Sequence, residues 1–360
     1  MIQVRNLCFS HPRGVTALRS VDLRIDAGER IALIGPNGSG KSTLARCLNG
    51  LLQPDSGEIE VDGIPSTPAT AWEIRRLVGM VFQNPDDQLV ATSVESELAF
   101  GLENIALDPT EMRQRVEETL ELFGLEALRE HPPHQMSGGE KQRVAVAAAM
   151  ALRPRYLILD EPTSLLDPRG RDQIQQIIAD LHREHGVATI QITQFPEEAA
   201  RCERIITMAA GRVQGDAAPA AAFAGVDELR RIGLDVPFAS TVAQALDGRV
   251  PLSARARLDE DVLAEQLVAT LPKPPSLSSQ PAATGAGDPK IVTRDLVYTY
   301  DRGLPTARRG LDRVSVEIQA GSVVALVGAS GSGKTTFAQH LNALLKPQDG
   351  QIFFDGMNVW

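Results

Sequence analysis

Cysteine is scarce in this sequence: Cys8, Cys47 and Cys202 are the three in 360 residues, with no CxxC pair and no Cys/His ligand spacing. That argues against a disulfide framework and a structural metal site, and for a chain kept in a reducing compartment. Positive charge is in short supply too. Lys and Arg number 36 against 46 Asp and Glu, a formal net charge of -10 with no long basic block, which speaks against nucleic acid as a partner and makes any phosphate site a local one. Apolar runs are short. The longest, residues 144–152, is less than half of the ~20 residues a membrane helix needs, so a membrane role has to go through a partner. Residues 1–10 alternate apolar and polar side chains like a strand and lack the basic start and apolar core of a secretory signal. With 43% apolar residues, compact folding is expected.

What the sequence does contain is a repeat. Residues 35–42 (GPNGSGKS) recur as 328–335 (GASGSGKT), an offset of 293 that holds downstream, where LNGLLQPDSGEIEVDG (48–63) matches LNALLKPQDGQIFFDG (341–356). Upstream the offset is 289, which places four extra residues in a loop between Tyr300 and Leu311. The expected layout is a complete first copy over 1–215, a small appended subdomain over 216–270 and a flexible linker over 271–289. The start of a second copy follows over 290–360.

Within the first copy, strand-like segments at 21–25, 30–34, 58–61, 156–160 and 188–192 alternate with helical stretches. This pattern predicts an α/β fold with a mainly parallel core sheet. The early strands, with Gly14 and Gly28 between them, predict an antiparallel β edge. In 110–123 the spacing of Met112, Val116, Leu120 and Phe123 predicts an amphipathic helix.

Chemistry concentrates at three places. The apolar strand 30–34 runs into GPNGSGKS and a helix from about Lys41, the setting of a Walker A phosphate loop. Gly35, Pro36, Asn37, Gly38, Ser39 and Gly40 would wrap phosphates with backbone N–H groups, helped by the helix N-terminus. Lys41 would reach the β and γ phosphates of ATP, Ser42 would ligate Mg²⁺, and Thr43 completes the loop. The second copy repeats the cradle with Gly328, Gly331, Ser332, Gly333, Lys334, Thr335 and Thr336, Thr335 taking the metal role of Ser42. A second strand, 156–159, delivers Asp160 for the Mg²⁺ shell and Glu161 to orient or deprotonate the attacking water. Between them MSGGEKQR opens a helix at a further anion-ready terminus.

MSGGEKQR resembles the LSGGQ signature, and its place between Gln83 and LILDEPTSLLD matches the order of ATP-binding-cassette ATPases. In that family two cassettes pair head to tail, which implies that Ser137, Gly138 and Gly139 bind the γ phosphate of a nucleotide held by a second cassette. By the same resemblance Gln83 is the Q-loop glutamine near the metal and Asp167 a dimer-seam residue. His11 stands where a Tyr usually stacks on adenine, a place that Tyr300 fills in the second copy. The family usually has His where this chain has Gln194, whose carboxamide still donates a hydrogen bond but carries no charge. Slower hydrolysis with ATP binding retained is therefore expected.

VFQNPDDQLVATSVESELAFGLEN (81–104) and VDELRRIGLDVP (226–237) are similar to the energy-coupling-factor, CbiO-like group. That resemblance implies ATP-driven uptake of a vitamin or metal ion. It also implies a peripheral position on the cytoplasmic face of the membrane, an integral membrane coupling subunit and a separate substrate-capture subunit as partners. The alternatives are a tandem-cassette ATPase acting on ribosomes or nucleic acid, and a regulatory ATP-binding module without turnover. The second copy contains no Q-loop, signature or Walker B pair up to Trp360. A longer tandem chain is expected on that ground, or else dimerisation through the first cassette.

Overall fold

The computed structural model describes residues 1–12, 14–246, 248–270, 289–303, 307–328 and 331–360. The expected linker, apart from Pro289, lies outside the described residues, as do positions 329–330 of the second phosphate loop. Two compact units result, Met1–Lys273 and Pro274–Trp360.

The first unit begins with β1 (Ile2–Ser10), β2 (Thr16–Ile25), β3 (Arg30–Ile34), α1 (Lys41–Leu48), β4 (Ser56–Val61), β5 (Ile64–Pro65), α2 (Ala71–Leu77) and β6 (Val78–Val81). Three helices follow, α3 (Val94–Asn104), α4 (Pro109–Phe123) and α5 (Gly138–Ala151). The chain then returns through β7 (Tyr156–Asp160), α6 (Pro168–His185), β8 (Ala188–Ile192), α7 (Pro196–Ala200), β9 (Arg204–Ala209) and β10 (Arg212–Ala217). Short helices α8 (Pro219–Ala222), α9 (Val226–Arg231), α10 (Phe238–Ala245) and α11 (Glu260–Thr270) close the unit.

Six strands form the core sheet in the order β10-β9-β3-β8-β7-β6, parallel except for the β9–β10 hairpin. β3, β7 and β8 are buried along their whole length, as strands covered on both faces must be. Alternation along β7 sends Tyr156 and Ile158 into one apolar cluster with Leu44 and Leu48 of α1. Leu157 and Leu159 enter the opposite cluster with α3, α4, α5 and α6. The early strands do not form an edge of this sheet. They make one of their own, in the order β2-β1-β4-β5, all antiparallel. The β1–β2 and β4–β5 connections are hairpins, too short for the crossover that parallel pairing requires.

α4 shows why the sequence periodicity was informative: Val116, Leu120 and Phe123 are buried on one face. Asp108 accepts bonds from the Thr110 and Glu111 N–H groups at one end, and Gly124 terminates the other in the left-handed region. The segment after β10 packs onto the core sheet, where Phe223, Val226, Leu229 and Val236 meet Ala32, Ile34, Ala199, Cys202 and Ile205. A small separate cluster of Ala239, Ala256 and Leu263 holds the last helices together.

The second unit comprises β11 (Pro289–Tyr300), β12 (Arg308–Gln319), α12 (Lys334–Leu341), β13 (Asp349–Phe354) and β14 (Met357–Asn358). Its sheet order, β12-β11-β13-β14, repeats β2-β1-β4-β5 strand for strand. Residues 322–327, which align with β3, are not a strand here, and Val323 and Val327 are exposed. In the first unit β3 holds its form by hydrogen bonds to β8 on one side and β9 on the other.

Candidate active site

The turn between β3 and α1 is built for an anion. Gly40, the residue before α1, has φ +103°, and a Cβ there would come within 2.5 Å of the Ala17 carbonyl oxygen, so both conformation and space require glycine. Gly333 repeats this in the second unit, where a Cβ would meet the Gly310 carbonyl at 2.2 Å. Lys41 is 6% exposed, and its Nζ donates to the carbonyl oxygens of Gly35 (2.7 Å) and Pro36 (3.1 Å). Burial pulls its pKa below the ordinary lysine value, against the opposing charges of Glu161 and Asp160. Lys334 makes the same bond to Gly328 at 2.7 Å.

At the carboxyl end of β7, Asp160 accepts a hydrogen bond of 3.0 Å from Ser42 Oγ. Burial, aided by the charge of Glu161, raises the Asp160 carboxyl above the usual range, and the Ser42 bond and the cations Arg46 and Lys41 work the other way. A hydroxyl and a desolvated carboxylate joined at the end of a parallel strand are hard oxygen donors of the kind Mg²⁺ takes. A bound divalent cation would relieve the very charge that burial penalises. The residues therefore fit the metal.

Glu161 lies next to this pair, with φ +49°, a left-handed conformation that costs a non-glycine residue about 1–3 kcal/mol. Its N–H donates to the Ile192 carbonyl of β8 at 3.0 Å, and the Ser164 hydroxyl donates to its own carbonyl at 3.0 Å. One carboxylate oxygen, Oε2, receives two carboxamides: Gln194 Nε2 at 2.6 Å and Gln83 Nε2 at 3.1 Å. Gln83 Nε2 is also 3.5 Å from the Ser164 hydroxyl. Gln83, expected near the metal, thus spends its nitrogen on Glu161, leaving its amide oxygen as the atom it can offer a cation. Gln194, standing where the resemblance leads one to expect His, donates to the carboxylate itself.

Two neutral amides orient Glu161 without supplying charge. A Gln194→His substitution is accordingly expected to raise the single-turnover rate of ATP hydrolysis several-fold. It should also add a pH dependence near the imidazole value of ~6.5 that the wild type lacks. Equal rates and flat profiles for both proteins between pH 5.5 and 8 would contradict this.

Ser137, Gly138 and Gly139 begin α5 in the helical layer and are not part of the cluster around Lys41 and Glu161. Ser137 caps α5 in a reciprocal box with Glu140: its N–H and hydroxyl reach Glu140 Oε2 at 2.8 and 2.7 Å. Asp167 caps α6 by accepting the Gly170 N–H at 2.8 Å. His11 Nε2 lies 3.4 Å from the Thr43 hydroxyl and its ring meets Phe9 edge-on at 5.1 Å. In the second unit the Tyr300 hydroxyl is 3.0 Å from Thr336 and its ring meets Tyr298 at 4.9 Å. The ring expected to face adenine therefore stands beside the phosphate-loop helix in both units. Cys47 and Cys202 are buried, which pushes their thiols up to about 12 and about 11, and neither takes part. One group escaped sequence reading, the buried Glu198 beneath Gln194. Glu197 and Glu198 in the QFPEEA run (194–199) look alike in the sequence, and burial is what separates them.

A phosphate loop whose buried lysine feels the charges of two carboxylates, Asp160 and Glu161, is the arrangement of a P-loop ATPase. The ABC transporter family model matches residues 18–164 and again 311–359, and the chain belongs to that family. Its relatives include the energy-coupling factor transporter ATP-binding protein EcfA1 of Symbiobacterium thermophilum, 48% identical over 260 residues, covering 72% of this chain and 90% of that one. EcfA1 of Clostridium perfringens is 44% identical over 252 residues, covering 68% and 90%. Among solved structures, CbiO1 from Clostridium perfringens, described as part of the ABC transporter complex CbiONQ, superposes with a TM-score of 0.59 at 34% identity over 68% of this chain and 98% of that one. The cassette MJ0796, described as a dimer in a post-hydrolysis state with ADP and Pi, gives a TM-score of 0.56 at 32% identity, covering 61% and 99%. The protein is thus an ABC ATPase homologous to energy-coupling factor transporter ATP-binding subunits.

Proposed function

We propose that this chain powers an energy-coupling factor transporter for a vitamin or metal ion from the cytoplasmic face of the membrane. Its first cassette, 1–215 with the appended 216–270, holds ATP through the 35–43 loop and Lys41, with Mg²⁺ held by Ser42 and Asp160. When bound, Mg²⁺ neutralises phosphate charge. Glu161 takes the proton of the attacking water, and Gln83 and Gln194 fix its Oε2 so that Oε1 can meet that water. Ser137, Gly138, Gly139 and Asp167 serve the nucleotide of a second cassette, and 290–360, joined by the 271–289 linker, repeats the phosphate loop of the first.

The observation that carries this reading is the pair of bonds placing Gln83 and Gln194 on Glu161, in a chain 48% identical to an energy-coupling ATPase. Gln83 opens the segment expected to meet an integral membrane coupling subunit. On that segment Val90 and Phe100 are large apolar side chains left 67% and 48% exposed. A separate subunit would capture the solute. Among the described residues no helix is long and apolar enough to cross a membrane, in keeping with a peripheral engine. Affinity purification of the full chain from detergent-solubilised membranes tests the proposal. An integral membrane coupling protein should co-purify and be lost in the Val90→Asp, Phe100→Asp double variant. Recovery of ribosomes or nucleic acid in its place, or of no membrane protein, would contradict it.

A further inference from the structure

Under the catalytic turn lies a buried polar knot with no role so far. Glu198, on α7, has a side chain only 4% exposed. Its Oε2 accepts hydrogen bonds from Thr193 Oγ1 at 2.6 Å and Gln191 Nε2 at 3.0 Å, and its Oε1 accepts one from Thr163 Oγ1 at 2.7 Å. Arg171 Nε approaches Oε1 at 3.9 Å, and the Arg171 guanidinium stacks 3.6 Å from the centre of the Phe195 ring. Thr193, besides donating to Glu198, accepts the Phe195 N–H at 3.1 Å.

Each of these partners is one to four positions from a residue of the site. Thr163 is two after Glu161. Thr193 and Phe195 flank Gln194. Arg171 is four after Asp167, in the first turns of α6. A carboxyl group buried among hydroxyl and amide donors is costly to place and rigid once satisfied, so the knot fixes these segments against one another. Gln194 is itself exposed, and the bond it makes to Glu161 depends on the turn beneath it.

We propose that Glu198 is a positioning residue for ATP hydrolysis. Through Thr193 it holds Gln194 against Glu161, and through Thr163 and Arg171 it ties both to the helix that Asp167 begins. This rests on the reading of Glu161 as the group that takes the proton of water. Glu198 bonds to Thr163, Gln191 and Thr193 and acts through Gln194, so its removal should change the rate of the chemical step and leave nucleotide affinity in place.

The test uses the full chain with Mg-ATP, measuring kcat, KM and equilibrium ATP binding. Glu198→Gln is expected to lower kcat by about 10-fold to 10²-fold, the scale of a misplaced catalytic group, with KM and the ATP Kd within about twofold. In a Gln194→Ala background the same substitution should change kcat by less than about twofold, because the group it positions is gone. Should Glu198→Gln fold poorly, Thr193→Val removes the relay at nearly constant volume and is expected to give the same kcat-selective loss, whereas Thr193→Ser keeps the hydroxyl and the rate. An unchanged kcat in both Glu198→Gln and Thr193→Val, an equal fall with and without Gln194, or a parallel loss of ATP affinity would overturn the proposal. Failure of the underlying reading shows separately, as a Glu161→Gln variant that turns over at the wild-type rate.

Discussion

Replacing Glu161 with Gln is expected to lower the kcat for ATP hydrolysis by about 10²-fold to 10⁴-fold, the usual worth of a positioned general base, while ATP affinity stays within about threefold. The substitution keeps the side chain's shape and removes its ability to take a proton. It also turns an acceptor into a partial donor facing the amide nitrogens of Gln194 and Gln83, now 2.6 and 3.1 Å from Oε2, so the orientation is disturbed as well as the basicity. The phosphate-binding groups are untouched: Lys41 contacts Gly35 and Pro36, and Ser42 contacts Asp160. Phosphate release under saturating Mg-ATP measures the first quantity and equilibrium binding of ATP the second. A kcat within threefold of wild type would remove Glu161 from the catalytic role.

Lys41→Ala should act on the other side of the reaction. Hydrogen bonds to charged groups contribute about 1.5–3 kcal/mol, so ATP affinity should fall roughly 10-fold to 150-fold, with a matching loss of the thermal stabilisation that ATP confers. Burial disfavours the charged lysine, and its ammonium donates to two carbonyls of its own loop. Binding therefore exchanges those bonds for phosphate oxygens, whose negative charge restores what burial takes away. Lys41→Arg is not expected to rescue binding, because a side chain only 6% exposed leaves little room for a planar guanidinium. Thermal-shift titrations with Mg-ATP on all three proteins provide the check, and an unchanged shift for Lys41→Ala would contradict the assignment.

Much of this is legible in the sequence. In the 35–42 and 328–335 loops Gly40 and Gly333 stand where backbone passes close to backbone, and a Cβ at either would strike a carbonyl. Sterics of that kind leave a trace in the sequence. The core strands 30–34 and 156–160 are equally legible, since burial on both faces favours near-continuous apolar runs, while 188–192 is as buried but includes Thr189 and Gln191. The early strands were harder. Alternation marks a strand, but it does not say which sheet the strand joins, and β1, β2, β4 and β5 form their own.

Sequence by itself determined the chemistry on offer: a lysine and a hydroxyl on one loop, an Asp-Glu pair ending a strand, a Ser-Gly-Gly helix start, and a Gln just past the 188–192 strand. Those features are local, and local geometry follows from residue type and spacing. Tertiary structure alone decided what the groups do to one another. Gln83, Glu161 and Gln194 are separated by 78 and 33 residues, yet they share one carboxylate oxygen. Glu198 looks like its neighbour Glu197 on paper and is buried under the catalytic turn in space. The order of strands in the core sheet, with β8 between β3 and β7, is what brings their carboxyl ends together. That order is set by crossovers and by which apolar faces find each other, which no run of neighbouring residues encodes.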